Sequence, residues 1–201
     1  MHTKIKICGL TRLCDIEAVN AAKPDYVGFV FAQSRRRVTA EQARQLRAAL
    51  HTDIIPVGVF VNETAENILS LVRGGVINCI QLHGTEDENF IREIKCETSA
   101  PIIKAVPIQK HGDAQAHENS LADYLLLDHK GGGTGNTFDW SLIGTLQKPF
   151  FLAGGLNPQN IAAAIQTLNP FAADVSTGVE TSPGIKNAEK IKIFMENSKR
   201  S

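Results

Sequence analysis

Eight short runs rich in Val, Ile, Leu and Phe recur along the chain at almost regular intervals, and no other feature limits the possible folds as tightly. They are KIKIC, YVGFVF, PVGVFV, CIQLH, IIKAVPI, YLLLD, FFLAG and ADVST. They start at Lys4, Tyr26, Pro56, Cys79, Ile102, Tyr124, Phe150 and Ala173, so successive starts lie 22 to 30 residues apart. Each run has strand length and strand composition. Between most of them lie amphipathic stretches of helical period, among them TAEQARQLRAAL, ETAENILSLVRG, EDENFIREIK, NPQNIAAAIQTL and NAEKIKIFMENS. Thr39, Asn157 (before Pro158) and Asn187 stand where helix N-caps belong. The stretch KHGDAQAHENS after the fifth run has little apolar periodicity and predicts a poor or absent helix there. Strand alternating with helix implies βαβ units and a parallel sheet. Eight units in 201 residues suggest a single closed (βα)8 TIM barrel over 1–201, short for that fold. An open, doubly wound α/β sheet is the structural alternative.

A barrel also fixes side-chain direction. Outward positions pack beneath helices and should be apolar, whereas inward positions can be mixed. Ile5 and Ile7 share one face of the first strand, so Lys4, Lys6 and Cys8 point inward. By the same alternation Gln81, His83, Lys104, Asp174 and Ser176 point inward, with Ile80 and Leu82 outward. The sixth strand is leucine on both faces, so only its position at the strand end places Asp128 at the barrel mouth. Buried charges need partners, and three inward lysines facing Asp128 and Asp174 could supply them.

Bulk properties narrow the chemistry. Lys plus Arg and Asp plus Glu both number 21, so no global field draws nucleic acid or an anionic membrane, and an anionic ligand must be held by local groups. No stretch is apolar enough for a signal peptide or a membrane span, which points to the cytoplasm. The four cysteines form no CxxC pair, and no histidines stand at zinc-finger spacing, so neither a structural metal nor a disulfide is expected. A lone cysteine is ordinarily a small buried hydrophobe. Cys14, Cys79 and Cys96 are read that way, and Cys8 is set apart only by its place at the end of a strand.

Active sites of such barrels gather at the C-terminal strand ends. Gly154 and Gly155 follow the seventh strand and run toward a helix, and Ser176-Thr177-Gly178 follows the eighth. Paired glycine-rich turns at these two strands offer backbone N–H donors to a phosphate. Arg35, Arg36 and Arg37 form a basic cluster after the second strand, which as a bare charge run would be a solvated loop.

Several segments together resemble one family, phosphoribosylanthranilate isomerase of tryptophan biosynthesis. They are KICGLTR (6–12), GFVF with SRRRV (28–38), VGVFVN (57–62), IQLHG (80–84), LLLD with GGGTGNTFDW (125–140), LAGGLNPQNI (152–161) and DVSTGVETSPGIK (174–186). They fall after nearly every strand. The resemblance implies a cofactor-free Amadori rearrangement of N-(5-phosphoribosyl)anthranilate, with Cys8 as general base and Asp128 as general acid. Cys8 must then lose its proton near neutral pH, for which Lys6 is the candidate helper, while Asp128 must keep its own through burial. The resemblance further implies that Arg36 binds the anthranilate carboxylate and that Gly154, Gly155, Ser176, Thr177 and Gly178 bind the phosphate. Arg35 replaces a frequent proline, which leaves open which of the three arginines makes the contact. Asp174 could accept a ribose hydroxyl or serve an interior lysine. His83 is read as a neighbour of the chemistry, and His129 should face away from it. A metal-dependent pentose-phosphate epimerase on a sibling barrel, or a barrel that only binds a phosphorylated ligand, are the rival readings. A monomer is favoured over an oligomer.

Overall fold

The computed structural model describes residues 2–129 and 138–199. Eight parallel strands close into a barrel in sequence order. They are β1 (Lys4–Cys8), β2 (Tyr26–Val30), β3 (Ile55–Phe60), β4 (Cys79–Leu82), β5 (Ile102–Ile108), β6 (Tyr124–His129), β7 (Phe150–Leu152) and β8 (Ala172–Val175). Pairing of β8 with β1, in the register Lys6 to Asp174, seals the ring. The open-sheet alternative is thereby excluded.

Alternation sorted the side chains as expected except at Lys104. That residue lies beside the outward Leu82 and Leu125 and shares the outer face of β5 with Ile102 and Val106, because Ile103 and Ala105 take the inward positions. Ile5, Ile7, Ile80 and Leu82 join the outer core beneath the helices. In β6, Leu125 and Leu127 belong to that outer core, whereas Leu126 belongs to the inner one. Asp128 therefore shares the inward face of Leu126, which an all-leucine strand could not reveal. The inner core fills the half of the barrel nearest the strand starts with Tyr26, Val57, Cys79, Ile103, Leu126 and Phe151. Tyr26 and Tyr124 both meet Phe151 edge-on, with centroids 5.4 and 5.5 Å apart. This apolar floor leaves the other end of the barrel for polar groups.

Among the described residues six helices cover the outside: α1 (Leu13–Ala22), α2 (Ala40–Ala49), α3 (Ala65–Arg73), α4 (Glu88–Glu97), α5 (Ile161–Leu168) and α6 (Ala188–Ser198). Thr39 and Asn187 cap α2 and α6 by accepting from Gln42 N and Lys190 N. Asn157 does not cap α5. Its side chain accepts from Gln159 N and Asn160 N and closes a separate turn, so the helix begins at Ile161, not at Pro158. The weak stretch after β5 forms only a 3-10 turn at Gln115–His117, and Trp140–Ile143 forms another after β6. An antiparallel hairpin, β9 (Glu180–Ser182) with β10 (Ile185–Lys186), lies between β8 and α6. Cys79 is buried as expected, but Cys14 and Cys96 are exposed on α1 and α4 rather than buried. Among the described residues no helix is long and apolar enough to cross a membrane.

Candidate active site

At the C-terminal ends of the strands lies a cavity of about 240 Å³. Cys8 of β1, Asp128 of β6 and Asp174 of β8 line it, with Arg36, Gly154, Gly155, Ser176, Thr177 and Gly178 at the loops. Every site residue expected from the sequence thus reaches one space. The GGGTG segment at 131–135 lies outside the described residues. His83 lines the cavity, and His129 lines a different depression beside Phe138, as its position after Asp128 predicts.

The glycines are there because larger residues would collide. A Cβ on Gly28 would sit 2.6 Å from Cys8 Sγ, so the thiol occupies the space that a side chain on the neighbouring strand would take. A Cβ on Gly178 would run into the carbonyl of Leu156, so the two phosphate-loop candidates touch backbone to backbone. Gly154 and Gly155 both have φ in the left-handed region, at +84° and +67°, which disfavours residues with a side chain.

The charges pair differently from the expectation that the three lysines face Asp128 and Asp174. Lys6 Nζ donates to Asp174 Oδ2 at 2.9 Å, and both groups are buried. Lys104 instead meets Glu86 at 2.9 Å and the Gly84 carbonyl at 2.7 Å. Lys4 points to the floor, over the rings of Tyr26 and Phe171 at 5.7 and 5.2 Å. No lysine among the described residues bonds to Asp128. Its Oδ1 accepts from His129 N at 2.7 Å, and Oδ2 is 3.7 Å from His83 Nε2. Burial, reinforced by the charge of Asp174, pushes its carboxyl up to about 6.

Cys8 departs from expectation. Burial pushes its thiol above the usual range, and this outweighs the opposing charges of Lys6 and Lys186. Lys6 does favour the thiolate, by charge and by hydrogen bond, but it is tied to Asp174, whose own charge works against it. Lys6→Met should therefore raise the Cys8 pKa further. It should also destabilise the fold by ~3–5 kcal/mol, because Asp174 is left as a buried, unpaired charge. Denaturant unfolding and thiolate absorbance against pH measure the two effects, and an unmoved thiol titration would remove Lys6 from the account of Cys8.

The arginine cluster resolves by exposure. Arg35 and Arg37 point to solvent, whereas Arg36 turns into the cavity. Where proline is frequent at 35, the loop is held instead by Arg36 N donating to Ser34 Oγ at 3.1 Å and by the return of Arg37 to bridge Val30. Arg36 is gripped by Glu180 through two bonds of 2.8 Å and also donates to Thr177 Oγ1 at 3.2 Å. Lys186, buried, donates to the same Glu180 at 2.7 Å. Glu86, Glu180 and Lys186 were not singled out in the sequence. Glu180 meets Lys186 across the β9–β10 hairpin and Glu86 meets Lys104 of the next strand, contacts that depend on a turn or strand register and leave no motif in the chain.

The model of the N-(5'-phosphoribosyl)anthranilate (PRA) isomerase family matches residues 5–197. The chain belongs to that family. The PRA isomerase of Endomicrobium trichonymphae is 45% identical over 192 residues, 94% of each chain. That of Streptococcus mutans is 42% identical over 98% of this chain and all of its own. Among solved structures, the PRA isomerase of Thermotoga maritima superposes with a TM-score of 0.91 at 39% identity, covering 99% of this chain and 100% of its own. A further PRA isomerase structure, in complex with reduced 1-(o-carboxyphenylamino)-1-deoxyribulose 5-phosphate, reaches 0.87 at 38% identity over 99% of this chain and 100% of its own. Membership in the PRA isomerase family agrees with the resemblance carried by CGLT, QLHG and DVSTGVE.

Proposed function

We propose that the chain isomerises N-(5-phosphoribosyl)anthranilate to 1-(2-carboxyphenylamino)-1-deoxyribulose 5-phosphate in cytoplasmic tryptophan biosynthesis. The observation that carries this reading is that a thiol and a carboxyl, Cys8 and Asp128, line one cavity from non-adjacent strands. Two groups of this kind, placed on either side of a ligand, are what a concerted acid and base require.

Asp128 gives its proton to the ribose ring oxygen. The bond from that oxygen to C1 breaks as the anilino nitrogen lends its lone pair, giving an open-chain iminium. Cys8 thiolate then takes the C2 proton, and the C2–H electrons form C1=C2 while nitrogen recovers its pair. The resulting enolamine tautomerises to the ketone, its enol proton leaving oxygen and a proton arriving at C1. Arg36 holds the anthranilate carboxylate by a charge-assisted bond from Nη1, the nitrogen that Glu180 and Thr177 leave open. Backbone amides of Gly154 and Gly155, with the turn Ser176-Thr177-Gly178, hold the phosphate. Asp174, one oxygen of which meets no partner among the described residues, accepts a ribose hydroxyl. One chain supplies all of these groups, which supports a monomer as the functional unit.

After the C2 proton has moved, the protein carries a thiol and a carboxylate. Burial of Cys8 favours this pair, so the active pair must be regenerated by a proton passing from sulfur to carboxylate through solvent. Generating phosphoribosylanthranilate in situ and following its disappearance tests the assignment. Consumption that scales with protein concentration is expected, and a rate equal to the background without protein would end it.

A further inference from the structure

Arg36 is a long, flexible side chain on a loop, yet a carboxylate bound by it must keep the sugar within reach of both Cys8 and Asp128. We propose that Glu180 is the positioning residue that fixes the Arg36 fork, and that the β9–β10 hairpin exists in this chain to hold Glu180 there. This inference rests on the isomerase reading and adds to it the source of the carboxylate site's geometry.

Glu180 Oε1 and Oε2 take Arg36 Nε and Nη2 side-on, each at 2.8 Å, and Thr177 Oγ1 takes a second bond from Nη2. Only Nη1 has no hydrogen bond among the described residues, so the fork has one direction left to offer a ligand. Glu180 is itself fixed by Lys186, whose ammonium also donates to Ser176 O at 3.0 Å and Oγ at 3.3 Å. The side chains of Glu180 and Lys186 are 2% and 0% exposed, so neither can swing aside without stranding a charge. The hairpin is packed to match. Thr11 Oγ1 donates to Gly184 O, Arg12 Nη2 donates to Lys186 O, and a Cβ on Gly184 would lie 2.9 Å from the Arg35 carbonyl. A Cβ on Gly9 would lie 2.5 Å from the Arg36 stem, which confines the arginine from the other side.

Two cations share one carboxylate here, and that makes the sign of the effect diagnostic. If Glu180 only diluted the positive charge, neutralising it would strengthen the attraction for an anionic substrate. If it positions Arg36, neutralising it weakens binding despite the extra charge.

Glu180→Gln and Glu180→Asp separate the two, because one removes the charge and keeps the length while the other keeps the charge and shortens the reach. Both should raise KM for phosphoribosylanthranilate about tenfold, the weight of one charge-assisted hydrogen bond, with kcat within about twofold. The same variants should leave KM unchanged for the phosphoribosyl derivative of aniline, which lacks the carboxylate. In an Arg36→Ala background, Glu180→Gln should add nothing further. A lower or unchanged KM in Glu180→Gln, or an equal rise for the aniline derivative, would overturn the proposal. Absence of turnover by the unmodified protein would instead defeat the isomerase reading, so the two failures are distinct.

Discussion

Cys8→Ser should lower kcat by ~10³–10⁴-fold, the full weight of a positioned general base, while KM for phosphoribosylanthranilate moves by no more than a few-fold. Serine fills nearly the same space against Gly28, where Sγ already occupies the room a Cβ would need, so the cavity keeps its shape. What is lost is an ionisable group. A hydroxyl buried as Cys8 is buried has no route to its alkoxide at any pH the fold survives. Alkylation gives an independent readout, provided the exposed Cys14 and Cys96 are first replaced by serine. In that background the labelling rate should climb tenfold per pH unit through neutrality, because burial holds the thiol above its usual range and only the thiolate reacts. A labelling rate that levels off below pH 8 would show a depressed thiol and contradict the burial argument. A Cys8→Ser variant with near-normal kcat would remove Cys8 from the chemistry.

The second large effect belongs to Asp128, and its pH dependence has an unusual form. The proposed mechanism needs the thiolate and the neutral carboxyl together, but the carboxyl titrates at about 6 and the thiol above its usual range. Between those values the protein mostly holds the opposite pair. Raising the pH there gains thiolate as fast as it loses carboxylic acid, so kcat/KM should be flat from about pH 6 into the alkaline range. Below 6 the acid is already protonated, and further protons only remove thiolate, so the rate should fall tenfold per unit. The acidic limb therefore reports the general acid. Asp128→Asn should cut kcat/KM by ~10²–10⁴-fold and erase that inflection. The remaining rate should then rise with pH until the thiol itself titrates. An inflection near 6 that survives in Asp128→Asn would assign it to the substrate's phosphate, whose second pKa is also about 6.

The same carboxyl carries a stability consequence with a definite sign. Its folded pKa lies above the ordinary carboxyl value, so the folded state holds the proton more tightly than the unfolded chain does. The associated stability is present below the ordinary value and is lost as pH rises through about 6. Asp128→Asn should accordingly raise the melting temperature at neutral pH while it removes activity.

Much of this was legible in the chain, for reasons that differ from residue to residue. Ile5 and Ile7 were enough to turn Cys8 inward, because a strand has period two and one face had to be apolar. Glycine pairs at 154–155 and the turn at 176–178 marked the loops, because backbone approach leaves a compositional trace. The helix α1 carries no such trace. Its buried face is Asp15, Ile16 and Val19, and a carboxylate that takes the Arg12 fork and the Thr11 amide interrupts the apolar stripe. Which lysine meets which acid was also hidden. Lys104 finds Glu86 once β5 pairs with β4, and Lys6 finds Asp174 only once the ring closes, and no local pattern encodes either. The rise of the Cys8 pKa was hidden for a related reason: the sequence shows the nearby cations, but burial decides the outcome.

Ring closure has a temporal side. Lys6 and Asp174 are separated by 168 positions in the chain, and such distant pairings are the slowest to form. As a chain emerges from synthesis, Lys6 and Cys8 appear well before β8, and they must wait for it before the wall beside them exists. Until then the thiol is an ordinary exposed cysteine, with neither the burial that raises its pKa nor the acid across the cavity. The surroundings of Cys8 are therefore completed only when β8 docks on β1, and burial of the thiol is a direct report that the barrel has shut.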